Sequence, residues 1–155
     1  MTEASNAETL ARRRAMGLMA RARAGELAEP LARFWPDILA RDLKPVETGL
    51  VMLRGRAGGD GAPFNLGEAT VTRAVVEIED GVRGYGHILG RDAEQARRAA
   101  ILDALWQAKE SRAAVDTKVL APILERLAAE KAKADAETAA TRVDFFTLVR
   151  GEDEA

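Results

Sequence analysis

The spacing of apolar residues predicts two helices at the start of the chain. Ser5-Asn6-Ala7-Glu8 has the spacing of a capping box, and the helical pattern that begins there ends at Gly25. A second helix follows, with Pro30 near its first turn, where the missing N–H costs little, and it ends at Trp35-Pro36.

The pattern in the second half of the chain predicts two further helices. Asp92 is a favourable N-cap with Gln95 at the capping-box position. The apolar stripe of this helix consists of Ala99, Leu102, Leu105 and Trp106. A long helical stretch then runs from about Asp116 to Thr141, and residues 131–138 within it have almost no apolar stripe. That part is expected to be solvated or packed against something outside this chain.

Between these helices the hydrophobic period changes to two, which predicts strands. Residues 45–56 form the first strand, and apolar residues at successive positions predict that its middle is buried on both faces. Residues 69–79 form the second strand, and Asp80-Gly81 is a strong hairpin signal. Residues 82–89 form the third strand, which returns antiparallel to the second.

Glycines occur at two places in this strand region. Gly58-Gly59-Asp60-Gly61 could be a phosphate-binding loop or a plain connection, and the missing Lys-Ser/Thr favours the connection. Gly84 and Gly86 lie inside a strand, which indicates a bend or a close approach of another backbone.

The segment 142–151 near the C-terminus has the same period of two. Val143, Phe145, Thr147 and Val149 alternate with the remaining residues, so a strand is predicted. Phe145 and Phe146 then point to opposite faces, and both faces need apolar cover. The segment is therefore either a strand of the core sheet or an anchor for another chain.

These elements together predict an α+β fold in which helices cover one face of an antiparallel sheet of three or four strands. A length of 155 residues fits a single domain over residues 1–155. Residues 1–12 are expected to be flexible, and residues 152–155 to form an acidic tail.

Composition excludes several kinds of site. The chain has no Cys and one His, His87, so disulfides, thiolate zinc sites, a cysteine nucleophile and a multi-His metal site are excluded, and no metal is expected. A net charge of −2 gives no general attraction to nucleic acid, and no apolar run is long enough to span a membrane. A soluble, cytoplasmic protein is expected.

An arginine-rich segment near the N-terminus has more than one interpretation. Arg12, Arg13 and Arg14, with Arg21 and Arg23 after them, could indicate a transit peptide or a twin-Arg signal. Glu3 and Glu8 precede them and no long apolar run follows, which favours a helix facing solvent or a partner.

The candidate chemistry consists of one histidine and a set of arginines. His87 could act as a general acid or base, or could be structural. The arginines on or beside the predicted strands could bind phosphate or phosphonate groups, or could pair with nearby acids; they are Arg54, Arg56, Arg73, Arg91, Arg142 and Arg150. No catalytic set can be named, which fits a subunit better than an independent enzyme.

Several segments together resemble one family. They are Glu47–Val51, Phe64–Ala74, Gly84-Tyr85 with Leu89–Asp92, Leu102–Leu105, and Arg142-Val143-Asp144-Phe145-Phe146-Thr147-Leu148-Val149-Arg150-Gly151. In this order and spacing they resemble the PhnG family, a subunit of the bacterial carbon–phosphorus lyase system. The resemblance covers about residues 14–151, and the last segment is the most specific.

The resemblance implies a role in phosphonate breakdown. Subunits of the PhnG, PhnH, PhnI and PhnL types together displace adenine from ATP with an alkylphosphonate, and the product is a ribose 1-phosphonate 5-triphosphate. ATP and alkylphosphonate are then substrates of the complex, and no cofactor is expected on this chain. The implied partners are PhnI-, PhnH-, PhnJ- and PhnL-type subunits in a hetero-oligomer with two copies. The resemblance transfers no catalytic residue to this chain.

Two sets of site residues follow as hypotheses. Phe64, Leu66, Phe145, Phe146 and Arg150 are predicted to contact a partner, because buried aromatics dominate binding energies. The alternative hypothesis is that the chain itself contributes to ATP or phosphonate binding; its candidates are Arg73, His87 and Arg91. A more distant alternative is an autonomous nucleotide-binding module.

Overall fold

A computed structural model of the chain describes residues 2–141. The predicted strand 142–151 lies outside this range, as do three candidate interface residues, Phe145, Phe146 and Arg150. The described residues divide into two compact units, residues 2–124 and residues 125–141. The extent predicted for the domain, including flexible residues 1–12 and an acidic tail at 152–155, stays a prediction.

The elements alternate in type along the chain. The helices are α1 (Thr2–Met19), α2 (Ala24–Phe34), α3 (Ala93–Gln107), α4 (Lys109–Val115) and α5 (Ala121–Ala140). A π-helical turn, Asp116–Leu120, lies between α4 and α5. The strands are β1 (Ala40–Asp42), β2 (Glu47–Arg56), β3 (Pro63–Ile78) and β4 (Arg83–Leu89).

Within residues 2–141 the sheet has four strands, and β3 is its centre. All three pairings of β3 are antiparallel. One edge of β3 pairs with β2 and, further along, with β1, while the other edge pairs with β4. The α+β prediction with an antiparallel sheet is confirmed.

One face of this sheet packs against α3 and is called here the helix face. Its side chains on β3 are Thr72, Ala74, Val76 and Ile78, and all four are buried. They alternate with exposed or half-buried residues, as expected for a strand covered on one side. The stripe predicted for α3 is buried as well. Helices therefore cover this face of the sheet, as predicted.

Close contact between β4 and α3 depends on two glycines. A Cβ built at Gly84 would overlap the Ala100 carbonyl oxygen and lie 2.7 Å from the Ala104 nitrogen. A Cβ built at Gly86 would overlap the Ala96 carbonyl oxygen in the same way. The close backbone approach predicted for these glycines is confirmed, and small residues on α3 make it possible from the other side.

A buried carboxylate joins α1, α3 and β4. Asp103 has no exposed surface and accepts hydrogen bonds from Arg12 Nε at 3.1 Å and Arg12 Nη2 at 2.7 Å. It also accepts one from the Tyr85 backbone N–H at 2.9 Å. These hydrogen bonds to Asp103 raise the pKa of Arg12 above its usual value, so the guanidinium stays charged. The junction fixes the N-terminal helix to the sheet.

Several helix predictions need correction. α1 begins at Thr2, not at Ser5, so residues 2–12 are helical. Pro30 lies inside α2 rather than in its first turn, because α2 begins at Ala24, where the Glu26 carboxylate accepts a hydrogen bond from the Arg23 N–H at 2.7 Å. α4 was not predicted as a separate helix. The Asp92 cap is confirmed, since its side chain accepts a hydrogen bond from the Gln95 N–H.

The strand predictions differ in two ways. The middle of β2 is exposed on both faces, so the prediction that it is buried there is wrong for the described residues. β3 is longer than expected and begins at Pro63, because residues 63–68 continue the pairing with β2. β1 was not predicted; its residues do not alternate, and Arg97 of α3 holds it through Asp42 and the Ala40 carbonyl.

Candidate functional site

The second face of the sheet carries the predicted polar candidates and is called here the open face. Its side chains include Arg73, Val75, Tyr85, His87 and Leu89. All but the half-buried Val75 are exposed, even though they lie on strands whose other face is buried. His87 lies with Tyr85 and Leu89 on one face, as the alternation of β4 predicts. A surface of this kind is available to a ligand or to another protein.

A cationic cleft lies at the base of the open face. Lys44, Arg73 and His87 line it, together with Glu47 and Tyr85, and its volume is about 150 Å³. Arg73 and His87 are directly opposite each other on β3 and β4, so the register of the sheet brings these two candidates together. Three basic groups and a phenol around a small cleft suit an anionic oxygen group such as a phosphate.

The acid in this cleft neutralises the arginine only weakly. The Glu47 carboxylate is 3.8 Å from Arg73 Nη2, and both side chains are more than half exposed. Exposed pairs at such a distance contribute little. The pairing of Arg73 with Glu47, one of the alternatives to a phosphate site, is therefore present but leaves the guanidinium accessible to an anion.

Arg91, the third candidate, lies outside this cleft. It follows Gly90 in the turn between β4 and α3 and is exposed. Gly90 fixes the turn, because its N–H donates to the Thr70 carbonyl and its carbonyl accepts from the Thr72 hydroxyl at 2.7 Å. Arg91 is therefore not one of the groups that line the cleft around Arg73 and His87.

A second group of charges on the open face consists of residues paired with one another. Glu77 accepts hydrogen bonds from Arg41 at 2.7 Å and from Arg83 at 3.3 Å. The hydrogen bond from Arg41, followed by that from Arg83, lowers the pKa of Glu77 below its usual value. Arg41 and Arg83 are therefore paired with the Glu77 carboxylate, and neither of them lines the cleft.

The open face continues away from the cleft into a two-stranded segment, called here the arm, which comprises residues 50–56 of β2 and 63–70 of β3. Pairing between β3 and β4 begins, in the chain order of β3, at Val71, which is opposite Leu89. On the N-terminal side of Val71, β3 pairs only with β2 within the described residues. The large exposed apolar residues of the arm are Leu50, Val51, Met52, Leu53, Phe64 and Leu66.

Phe64 and Leu66, two predicted interface residues, lie together on the arm. A Cβ built at Gly55 would overlap the end of Leu66 and lie 4.0 Å from the Phe64 ring. The register shifts by one residue between Leu53 and Arg54, which leaves Leu66 as an extra residue in β3. Gly55 and this bulge allow Leu66 to lie across the ribbon beside Phe64.

Two members of the site were not found from the sequence. Lys44 precedes β2 and joins the cleft only because β2 pairs with β3 in the observed register. Tyr85 lies on the same face of β4 as His87, and its role as a cleft residue was not predicted. The sequence did contain a signal for Tyr85, because it lies between two glycines of a strand. If the glycines face the helix, the tyrosine must face the opposite side of the sheet.

The described part of the chain holds neither a metal-binding cluster nor a membrane-spanning helix. Residues 2–141 contain no group of three or more His, Asp or Glu side chains placed to hold a metal ion. None of the helices in that range combines the length and apolar character needed to cross a membrane.

Comparisons with known proteins give the family. The family described as "Phosphonate metabolism protein PhnG" matches residues 10–151, which is most of the chain. A relative from Rhizobium meliloti (strain 1021), named "Alpha-D-ribose 1-methylphosphonate 5-triphosphate synthase subunit PhnG", is 53% identical over 146 residues. That alignment covers 92% of this chain and 90% of the relative. The resemblance drawn from the sequence segments is confirmed, and the chain belongs to the PhnG family.

Proposed function

We propose that this chain is a subunit of an alpha-D-ribose 1-methylphosphonate 5-triphosphate synthase complex and acts in phosphonate catabolism. The single observation that carries the proposal is the 53% identity, over nearly the full length of both chains, to a relative with that name. The reaction is a ribosyl transfer: a phosphonate oxygen forms a bond to C1′ of ATP, and the bond from C1′ to adenine breaks. Adenine is released, and the triphosphate stays on the ribose.

The lone chain is expected to have no activity of its own. ATP and an alkylphosphonate are substrates of the whole complex, and we propose that this subunit binds no cofactor. Its partners are PhnI-, PhnH-, PhnJ- and PhnL-type subunits in a cytoplasmic hetero-oligomer with two copies of this chain. An exposed sheet face and an apolar arm on the same unit support a role in assembly.

Reconstitution tests this function directly. We expect the chain with its PhnI-, PhnH- and PhnL-type companions to release adenine from ATP in the presence of methylphosphonate, and omission of this chain to abolish that release. Chromatographic measurement of adenine checks both samples. Adenine release by the purified chain alone, with ATP and methylphosphonate, would contradict the proposed dependence on partners.

A second candidate role is direct binding of ATP or phosphonate by this subunit. The observation that favours it is the cleft in which Arg73, His87 and Lys44 meet; among residues 2–141 the carboxylate that lines it is Glu47, 3.8 Å from Arg73. A phosphate or phosphonate group placed there would accept charge-assisted hydrogen bonds. Arg91 does not line this cleft, so its contact with ATP or phosphonate would require a second binding site near the start of α3.

Substitution in the intact complex tests this role. We expect Arg73→Ala to raise the KM for ATP or methylphosphonate by about tenfold, because a charge-assisted hydrogen bond contributes roughly 1.5–3 kcal/mol. His87→Ala and Arg91→Ala are measured beside it, with Arg41→Ala as the control because Arg41 is bound to Glu77. Normal assembly with unchanged kinetics at Arg73, His87 and Arg91 would exclude the role.

A further inference from the structure

The arm has an unusual distribution of apolar side chains, because they occupy both of its faces. Neighbouring residues on a strand point in opposite directions, so Val51 and Leu53 lie on the open face and Leu50 and Met52 on the other. Leu50 is 61% exposed, Met52 52% and Leu66 63%. Two-stranded ribbons are at best marginally stable in water, and contiguous apolar patches are rare on free monomers. The arm therefore calls for a cover on each face.

We propose that the arm inserts into an apolar groove of a different protein subunit, which contacts both faces of the ribbon. This inference rests on the proposed function, since it requires a companion chain. It goes beyond that function by naming the element that docks and the form of the surface that receives it. The described residues of this chain leave the middle of β2 exposed, and in the complex the partner covers it.

Coverage on two faces selects a groove over a flat surface. A flat partner, or a second copy of this chain stacked face to face, would cover either the side of Val51, Leu53, Phe64 and Leu66 or the side of Leu50 and Met52. The other side would stay in water, and its apolar area would contribute nothing. A groove removes both sides from water at once and also fixes the direction of the arm.

The charges of the arm fit an uncharged groove. Arg54, Arg56, Asp60 and Glu68 are the charged residues between positions 50 and 70, so the arm and its loop have no net charge. Binding of RNA or of an anionic membrane depends on an excess of Lys and Arg, which is missing here. A neutral, apolar protein surface is the complementary partner for most of the ribbon.

Arg54, at the outer part of the arm, needs an oppositely charged residue on the partner. Arg54 follows Leu50 and Met52 on the same face of β2, and it takes part in no ion pair with the residues in the range 2–141. A buried guanidinium without an acid is costly, so the groove should carry a carboxylate near its far end on that side. This residue distinguishes a specific docking partner from general apolar adhesion.

The position of the arm also places the cationic cleft at the edge of the interface. Its open face leads through Ala69 and Val71 to Arg73, because these alternate residues of β3 share one face. A subunit that covers Val51 and Leu53 therefore ends beside the cleft. Docking and any contact of Arg73 with an anionic substrate would involve the same surface.

The test is co-purification of full-length variants with the companion subunits of the synthase complex. Leu66→Glu alters the open face of the arm, Leu50→Glu the opposite face, and Arg54→Glu the outer charge. Leu39→Glu is the control, because Leu39 is a similarly exposed leucine, at 67%, away from the arm. Each arm variant is expected to reduce the recovered companion at least about tenfold, while Leu39→Glu does not.

Thermal unfolding of each lone variant by circular dichroism shows whether its fold is retained, which we expect since all three substituted side chains are exposed. Effects at Leu66 but not at Leu50, or the reverse, would overturn the groove in favour of a flat contact. Normal co-purification of all arm variants would overturn docking through the arm. Failure of the unsubstituted chain to co-purify would instead count against the proposed function.

Two other occupants give distinct results. Sedimentation of the lone chain as a dimer that Leu66→Glu dissociates would overturn the proposal in favour of a second copy. Binding of the lone chain to vesicles of phosphatidylcholine and phosphatidylglycerol, lost in Leu66→Glu, would overturn it in favour of a membrane. A monomer that ignores such vesicles and binds its companions through the arm supports the groove.

Discussion

Gly86→Ala is expected to lower the free energy of unfolding by about 3 kcal/mol, which is a large part of the stability of a typical domain. The added Cβ would overlap the Ala96 carbonyl oxygen and lie 2.8 Å from the Ala100 nitrogen. Both are backbone atoms of α3, so no side-chain rotation can relieve the contact. Strand and helix must separate, and the buried residues between them lose packing. Urea unfolding followed by the fluorescence of Trp35 and the buried Trp106 measures the loss.

Gly49→Ala is the matched control for this substitution. Gly49 also lies in a strand, and a Cβ built there would lie 3.8 Å from Nη2 of the flexible Arg73 side chain, the one non-adjacent described residue within 4 Å. Alanine at that position is expected to change stability by less than about 1 kcal/mol. Equal effects at Gly86 and Gly49 would show that the contact between β4 and α3 does not depend on the missing side chain.

Sequence patterns predicted the elements whose signals are local. The alternation of β4, the Asp92 cap and the glycines at positions 84 and 86 each depend on residues that are close in sequence. Each also has a direct physical meaning: one buried face, one satisfied N–H, and one close backbone approach. These features need no knowledge of the distant parts of the chain, and the structure confirms each of them.

The cleft and the buried junction depend on distant pairings, and sequence patterns could not provide them. Asp103 lies in a strongly apolar stretch of α3, and its partner Arg12 is 91 residues away. Lys44 enters the cleft through the register of β2 against β3. A pattern shows that a residue is polar or apolar, but it does not show which surface that residue will meet.

The exposed arm shows that the same limit applies to apolar residues. Apolar residues at successive positions of β2 correctly predicted a strand, but the cover predicted for both faces of its middle is missing among the described residues. They could not indicate whether that cover comes from the same chain. The described residues place Leu50, Val51, Met52 and Leu53 at the surface. Under the proposed docking of the arm, the hydrophobic pattern of this chain records an interface as well as a core.

Asp103→Asn is expected to lower the free energy of unfolding by about 3 kcal/mol, because it breaks a buried ion pair and leaves donors without an acceptor. Oδ2 alone accepts from Arg12 at 2.7 Å, from the Tyr85 N–H at 2.9 Å and from Gln107 Nε2 at 3.3 Å. Arg12 Nε also donates to Oδ1, at 3.1 Å. The amide of asparagine offers one oxygen and one NH2 group, so its NH2 group must face donors at either the Oδ1 or the Oδ2 position. The partial exposure of Arg12 allows water to solvate the guanidinium and keeps the loss at the lower end of the range for buried pairs.

Asp42→Asn supplies the control, since it alters an aspartate–arginine pair of similar length in a solvated setting. Asp42 and Arg97 are 2.8 Å apart, and their side chains are 41% and 34% exposed. A loss of about 1 kcal/mol or less is therefore expected. Urea unfolding compares the two variants, and hydrogen exchange in α1 separates the mechanisms. Because Asp103 is the acceptor that ties Arg12 to β4, its replacement should speed exchange in α1 under conditions where α3 stays protected. Equal losses for the two variants, with unchanged exchange in α1, would mean that apolar packing alone holds the N-terminal helix in place.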